Sequence, residues 1–190
     1  IAVLRYHITN PGAAPVHVSL VGNLFNPIGY KGSGPVMGEH LGQNVNTALD
    51  QDGVRGLFMT SQRYAPSDPV YGSLALSTTW PQTFVQSHWL RAAWFDAMHD
   101  FWDHFAADGF LPPREYAPSQ DGQSDVGTLG LRATVHPGQT VVLPFFITWH
   151  FPNFAKYWKG GGPSCCCGEP ATWKNYYASQ WSDAWDVAAY

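Results

Sequence analysis

Charge is scarce in this chain of 190 residues. Lys, Arg, Asp and Glu make up 13% of it, and ten basic against fourteen acidic residues leave a net charge of −4 at pH 7. The basic residues form no cluster. That excludes nucleic acid and anionic membrane surfaces as partners, because both demand a Lys/Arg patch. Long apolar runs are also missing, and none approaches the roughly 20 residues of a transmembrane helix. Cysteine is confined to three consecutive positions, Cys165, Cys166 and Cys167, in a loop rich in Gly and Pro. Adjacent side chains diverge, whereas structural zinc takes paired thiolates spaced as Cys-x-x-Cys. One odd cluster is no disulfide framework either. The expectation is an exposed, reducible loop in a cytoplasmic protein with no metal and no cofactor. Catalytic signatures are equally sparse. Ser124, Asp125 and His136 lie outside any Gly-x-Ser-x-Gly elbow. Gly32-Ser33-Gly34-Pro35 is followed by neither Lys-Ser/Thr nor a helical pattern, so it reads as a flexible turn and not a phosphate loop.

Apolar and aromatic residues are plentiful. Hydrophobic residues reach 45%, aromatics 15%, and nine are Trp, enough for one domain with its own core and a face covered by a neighbour. Residues 1–9 and Val16–Phe25 are apolar runs split by Asn10-Pro11-Gly12, a turn signal. Arg5, His7 and Thr9 alternate with Leu4, Tyr6 and Ile8, the period-two pattern of a half-buried strand. The stretch 27–46 is rich in Gly and Pro and reads as a long loop. Residues 54–60 and 72–79 are further strands, divided by a turn at 66–69. Residues 128–135 and Thr140–His150 read as a hairpin-like pair around His136-Pro137-Gly138-Gln139. Many short strands bounded by such turns predict a mainly β protein, an antiparallel β-sandwich.

One insertion breaks the alternation. Trp89, Ala93, Trp94, Ala97, Met98, Phe101, Trp102 and Phe105 form a stripe at helical spacing, with Arg91, Asp96, Asp100 and Asp103 away from it. This predicts an amphipathic helix over about 87–108, closed by Gly109 as C-cap and blocked by Pro112-Pro113. Tyr177, Trp181, Ala184, Trp185 and Ala188 predict a second helix over 176–190.

The side chains that could carry chemistry are few. His99 with Asp103, and Asp100 with His104, stand four apart and could each offer two metal ligands, but no third is evident and such pairs arise readily as solvated helix partners. Exposed Trp80, Trp89 or Trp158 could stack on sugar rings. Most tryptophans at helical spacing are core or interface residues, and that reading is preferred. Trp149 and His150 end a strand, where sites are often displayed. His150 could face a ligand or a neighbouring domain, or cap the turn that Pro152 starts.

Taken together, the motifs resemble a known family. Trp149-His150-Phe151-Pro152-Asn153, followed by Asn175-Tyr176-Tyr177-Ala178 and Asp183-Ala184-Trp185, is similar to the N-terminal domain of glycoside hydrolase family 116. That family holds bacterial and archaeal β-glucosidases and the non-lysosomal, bile-acid-type glucosylceramidases of animals. Tyr6–Asn10 with Val16–Leu20, Phe101-Trp102 with Phe105 and Gly109, and Thr128–Leu131 with His136-Pro137-Gly138 resemble it as well. The resemblance implies a two-domain enzyme, a β-sandwich followed by an (α/α)6 toroid. It also implies retaining chemistry with a Glu nucleophile and an Asp acid/base, two carboxyls about 5 Å apart. Both would belong to the toroid, and no Asp or Glu of this chain takes either role.

The expectation is therefore a sandwich over 1–173, truncated at its start, with 174–190 beginning a linker helix towards the catalytic domain. The chain would support that toroid and wall its cleft, meeting a β-glucoside or glucolipid only through it. Trp149, His150, Asn153, Asn175 and Tyr176 are the substrate-side or domain-interface candidates. The alternatives are a free-standing carbohydrate-binding sandwich and a purely structural interaction domain.

Overall fold

Several strands that follow one another in sequence part company in space here. The computed structural model describes residues 1–31, 38–93, 95–155 and 172–190; Cys165–Cys167, Trp158, Trp94 and the turn at 32–35 lie outside them. In chain order the strands are β1 (Ala2–Thr9), β2 (Val16–Phe25), β3 (Asn44–Gln51), β4 (Val54–Ser61), β5 (Ser73–Thr78) and β6 (Thr83–Gln86). Helix α1 (Asp96–Asp108) follows, then β7 (Val126–Val135), β8 (Thr140–His150), β9 (Asn153–Ala155) and β10 (Thr172–Lys174). A 3-10 turn (Tyr176–Ser179) and helix α2 (Ala184–Ala189) close the chain. Five strands in the order β1-β8-β5-β4-β3 form one antiparallel sheet, three in the order β2-β7-β6 form another, and β9 pairs with β10. The fold is mainly β, as the alternation and turns predict.

The pair around 136–139 is not a hairpin. β7 pairs with β2 and β6, whereas β8 pairs with β1 and β5, so the turn carries the chain between sheets. Leu129, Leu131 and Ala133 of β7 meet Leu143 and Phe145 of β8 in one core cluster. Apolar faces that pack against each other must lie on opposing layers, not side by side. The connection from β1 to β2 makes the same arch, and Asn10 clips the two together. Its N–H donates to the Gln139 carbonyl (3.0 Å) and its own carbonyl accepts from Gly138 N–H (2.8 Å). Its Nδ2 donates to the carbonyls of Ala14 and Val135, both at 2.8 Å.

Four strands, β3, β6, β9 and β10, were not expected from the alternation. β3 begins inside the expected loop and pairs with β4 across Asp52 (φ 53°) and Gly53 (φ 80°). Positive φ at both central residues suits the right-handed twist of a tight hairpin. β6 is four residues long, and its Phe84 ring lies over Gly130 so closely that a Cβ there would sit 2.0 Å from it.

Helix α1 starts later than its apolar stripe suggests. Trp89 stays extended because its N–H bonds the Val126 carbonyl (2.9 Å) and its indole Nε1 donates to Thr128 Oγ1 (2.8 Å). Gly109 is left-handed (φ 65°) and caps the helix, its N–H reaching the Phe105 carbonyl. Phe101 packs with Phe84 and Leu111 on the outer face of the smaller sheet, while Met98 and Trp102 remain exposed. The closing segment is likewise not one helix. Asp183 is extended, and its carboxylate accepts from the N–H groups of Trp185 and Asp186, starting α2 afresh. Ala184 and Trp185 then bury against Val54 and Ala75 on the outer face of the larger sheet.

Candidate functional site

Strand β8 delivers the candidate residues. Its alternation places Leu143 and Phe145 in the core and sends Thr148 to the opposite face, where its Oγ1 donates to the Ala184 carbonyl (2.6 Å). Trp149 shares the parity of the core residues but lies at the strand's end, 44% exposed. His150 shares the parity of Thr148 and is buried, 3% exposed, opposite Ser73 of β5. The edge of its ring meets the Tyr177 ring at 5.4 Å, and its Nε2 makes no hydrogen bond among the described residues.

The two segments Trp149–Asn153 and Asn175–Tyr177 come together as a clasp. Asn175 Nδ2 donates to the Phe151 carbonyl (2.8 Å) and Asn175 N–H to the Pro152 carbonyl (2.8 Å). The Tyr177 hydroxyl accepts from Phe151 N–H (3.1 Å) and donates to the carbonyl of the same residue. Asn153, buried, turns the other way: its Nδ2 donates to the carbonyls of Pro66 (2.7 Å) and Asp68 (3.0 Å) and pins the turn at 66–69. Asn175 and Tyr177 thus satisfy main-chain groups where β8 leaves the sheet and can no longer pair its own, and Asn153 satisfies those of the turn at 66–69. Tyr176 takes no part and is 84% exposed. A cleft of about 300 Å³ opens beside His150, bordered by Phe58, Thr60, Tyr71, Ser73 and Asp183.

The carboxylates near these groups are already engaged. Asp183 caps α2, and Asp68 Oδ1 accepts from Val70 N–H (2.9 Å). Farther off, Asp100 is gripped by Arg114 (2.8 Å) and buried Asp125 by both arms of Arg91, each at 2.8 Å. The Asp125 bond holds the Arg91 guanidinium even more firmly protonated than usual. Retaining hydrolysis needs one ionised and one protonated carboxyl facing a common cavity, and each of these carboxylates is held by a partner within the domain. The chain matches the family described as beta-glucosidase 2, glycosyl-hydrolase family 116 N-term, over residues 1–190. It belongs to that family. No curated protein matches it.

Seen as a glycosyl-hydrolase family 116 N-terminal domain, the chain uses its other sequence candidates structurally. Trp80 Nε1 donates to the Arg132 carbonyl (2.8 Å), and the half-buried Trp89 stacks on Phe101 at 4.7 Å, so both rings are held against the domain. Ser124 Oγ donates to the Asn26 carbonyl (2.6 Å) and His136 lies in an arch between sheets. Among the described residues, no three His, Cys, Asp or Glu side chains gather as metal ligands, and no helix is long and apolar enough to cross a membrane.

Sequence reasoning missed two polar clusters. Asn44 Nδ2 donates to Asn26 Oδ1 (3.0 Å), and Asn26 Nδ2 donates to Asn46 Oδ1 (2.9 Å), tying β3 to the end of β2. Arg91 binds Asp125 and the Ala117 carbonyl and so fastens the segment before β7, aided by Arg91 over the Tyr116 ring at 4.7 Å. Single Asn, Arg and Asp side chains carry no periodic signal, and Asn44 and Asn46 fall in the strand that the alternation did not reveal.

Proposed function

We propose that this domain is the non-catalytic support of a retaining β-glucosidase, whose catalytic (α/α)6 domain supplies both carboxyls. The clasp carries the reading: Asn153, Asn175 and Tyr177 serve main-chain groups, His150 is buried against Tyr177, and Trp149 and Tyr176 are left projecting. On this reading Trp149 and Tyr176 meet the catalytic domain or wall its cleft, while His150, Asn153 and Asn175 position them. Residues 1–173 form the supporting sandwich, and 174–190 lead towards the catalytic domain, with α2 anchoring that exit to the larger sheet. Substrate, a β-glucoside or glucolipid, is met only through the catalytic domain. The test is an assay of purified residues 1–190 on an aryl β-glucoside, beside the whole encoded protein. Turnover by the whole protein alone is the expected outcome, and turnover by residues 1–190 overturns the proposal. Saturable quenching of Trp fluorescence in residues 1–190 by glucosides, abolished by Trp149→Ala, would instead favour a carbohydrate-binding module.

A further inference from the structure

Helix α1 covers only part of the smaller sheet's outer face. Leu129, Leu131, Ala133 and Val135 of β7 are buried in the sandwich, so Gly130, Arg132 and Thr134 face outwards. Their partners on β2 (Val21, Ser19 and His17) face the same way. Phe101 covers the first row, packing with Phe84 and Val21. The helix then ends at Gly109, so close to Ser19 that a Cβ on Gly109 would lie 2.5 Å from the serine Oγ. The outward rows that remain and the last turn of α1 border a cavity of about 660 Å³, a size usual for small-molecule sites. It lies at the end of the sandwich where β2 begins and β7 finishes. Residues 31, 93 and 155, after which the described chain is interrupted, belong to the opposite end, where β2 and β8 finish and β7 begins.

The walls of this cavity carry both charges, and the two stay unbridged. Arg55, Arg63, Arg91 and Arg114 each hold an aspartate. Arg132 and Asp108 are exposed, border the same cavity, and have no side-chain partner among the described residues. The carbonyls at the end of α1 add acceptors, because a helix end leaves them without N–H partners. Gln82, set beside Arg132 by the Arg132 N–H bond to its carbonyl (2.9 Å), adds an amide that both donates and accepts. Thr134 Oγ1, bonded to His17 Nδ1 (2.9 Å), adds a hydroxyl. Phe105 supplies the apolar part.

This lining selects against most ligands. An anion would meet Asp108 and the negative end of the α1 dipole, and a cation would meet Arg132. An extended peptide finds no strand edge, since β7, beneath the cavity, is paired on both sides. Hydroxyl groups both donate and accept, and the C–H face of a sugar ring can lie on an aromatic side chain. We propose that this cavity binds a neutral sugar whose hydroxyls bridge Arg132 and Asp108. One carboxylate does not make the pair that hydrolysis needs, so the sugar is held as a ligand and not cleaved. The proposal gives this domain a ligand of its own and stands whether or not the domain supports a catalytic partner.

Amide hydrogen exchange on the whole encoded protein tests this. The probes are cellobiose with sulfur in place of its bridging oxygen, which resists glycosidases, and maltose. At ten times the dissociation constant of a bound probe, amides of residues 17–19, 105–109 and 132–134 that open only when the site is empty should exchange about tenfold more slowly. Arg132→Ala and Asp108→Asn should each weaken binding about tenfold, the loss of one hydrogen bond to a charged group. Neither side chain holds another in the domain, so Tm should move by less than about 2 °C in either variant. Slowing by neither sugar, or slowing that both substitutions leave intact, overturns the proposal. Slowing confined to residues 149–153 and 175–177 overturns it by moving sugar binding to the clasp. Slowing of the cavity amides by inorganic phosphate and by neither sugar overturns it in favour of an anion site. Glucosidase activity in residues 1–190 would end the supporting role yet leave the exchange result standing, so the two failures are distinguishable.

Discussion

Replacing Tyr177 with Phe deletes one oxygen and tests the clasp. The phenyl ring keeps the edge contact with His150, so packing is conserved while two hydrogen bonds to Phe151 disappear. The Phe151 carbonyl still accepts from Asn175 Nδ2, but the Phe151 N–H loses its partner. A net hydrogen bond contributes about 1 kcal/mol, and a buried donor left unpaired costs about 1–3 kcal/mol. Phe151 is only half-buried, so the lower part of that range applies, and the expected loss is about 2 kcal/mol. For a domain of this size that corresponds to a Tm lower by about 4–8 °C. Urea unfolding, followed by Trp fluorescence, should show the midpoint falling at constant m-value. Tyr176→Phe is the control: an exposed neighbour outside the clasp should change stability by less than about 0.5 kcal/mol. A loss of under about 0.5 kcal/mol for Tyr177→Phe, or one matched by the control, would refute the assignment of Tyr177 as a main-chain clamp.

The other predictions concern the arches and pH. Asn10→Ala should cost about 2–4 kcal/mol, because the carbonyls of Ala14 and Val135 lose their donor in a buried corner. Asn10→Asp should cost still more at neutral pH, setting a carboxylate against both carbonyls; equal or smaller loss in a denaturation series would contradict the clip. Burial lowers the pKa of His88 below its ordinary 6.5, partly offset by its bond to the Arg114 carbonyl, with the Tyr116 ring, Asp125, Arg91 and Glu115 around it. The unfolded chain then takes up the proton more readily, so this contribution to stability is complete above pH 6.5 and declines as pH falls below it. Unfolding free energies measured between about pH 5 and pH 7.5 should show that decline, and His88→Gln should flatten it; parallel curves would rule it out.

Much of the architecture was written locally. Alternation in Leu4–Thr9 and in β8 marks which residues share a face, because the strand period is two whatever lies beside it. Gly109 closes α1 because only a residue tolerant of positive φ ends a helix that way. Asp52-Gly53 was an equally local hairpin signal that would have disclosed β3. The motif from Trp149 to Asn153, with Asn175 to Tyr177, was also legible as a unit of family character.

Tertiary structure decided the rest. The turn at 136–139 could close a hairpin or an arch, and the choice fell to the apolar faces of β7 and β8, which the core requires to face each other. Of the stripe on α1, Phe101 is the residue that reaches Phe84 and Leu111, so it was buried and Met98 and Trp102 were not. His150 and Trp149 are neighbours in sequence with opposite fates, because one strand step turns a side chain from one face of the sheet to the other. Beneath Tyr177 and α2 the first is enclosed, and past the end of the core the second is left in the open. Chain-local chemistry determines periods, turns and caps, whereas burial depends on which distant segment arrives on each face.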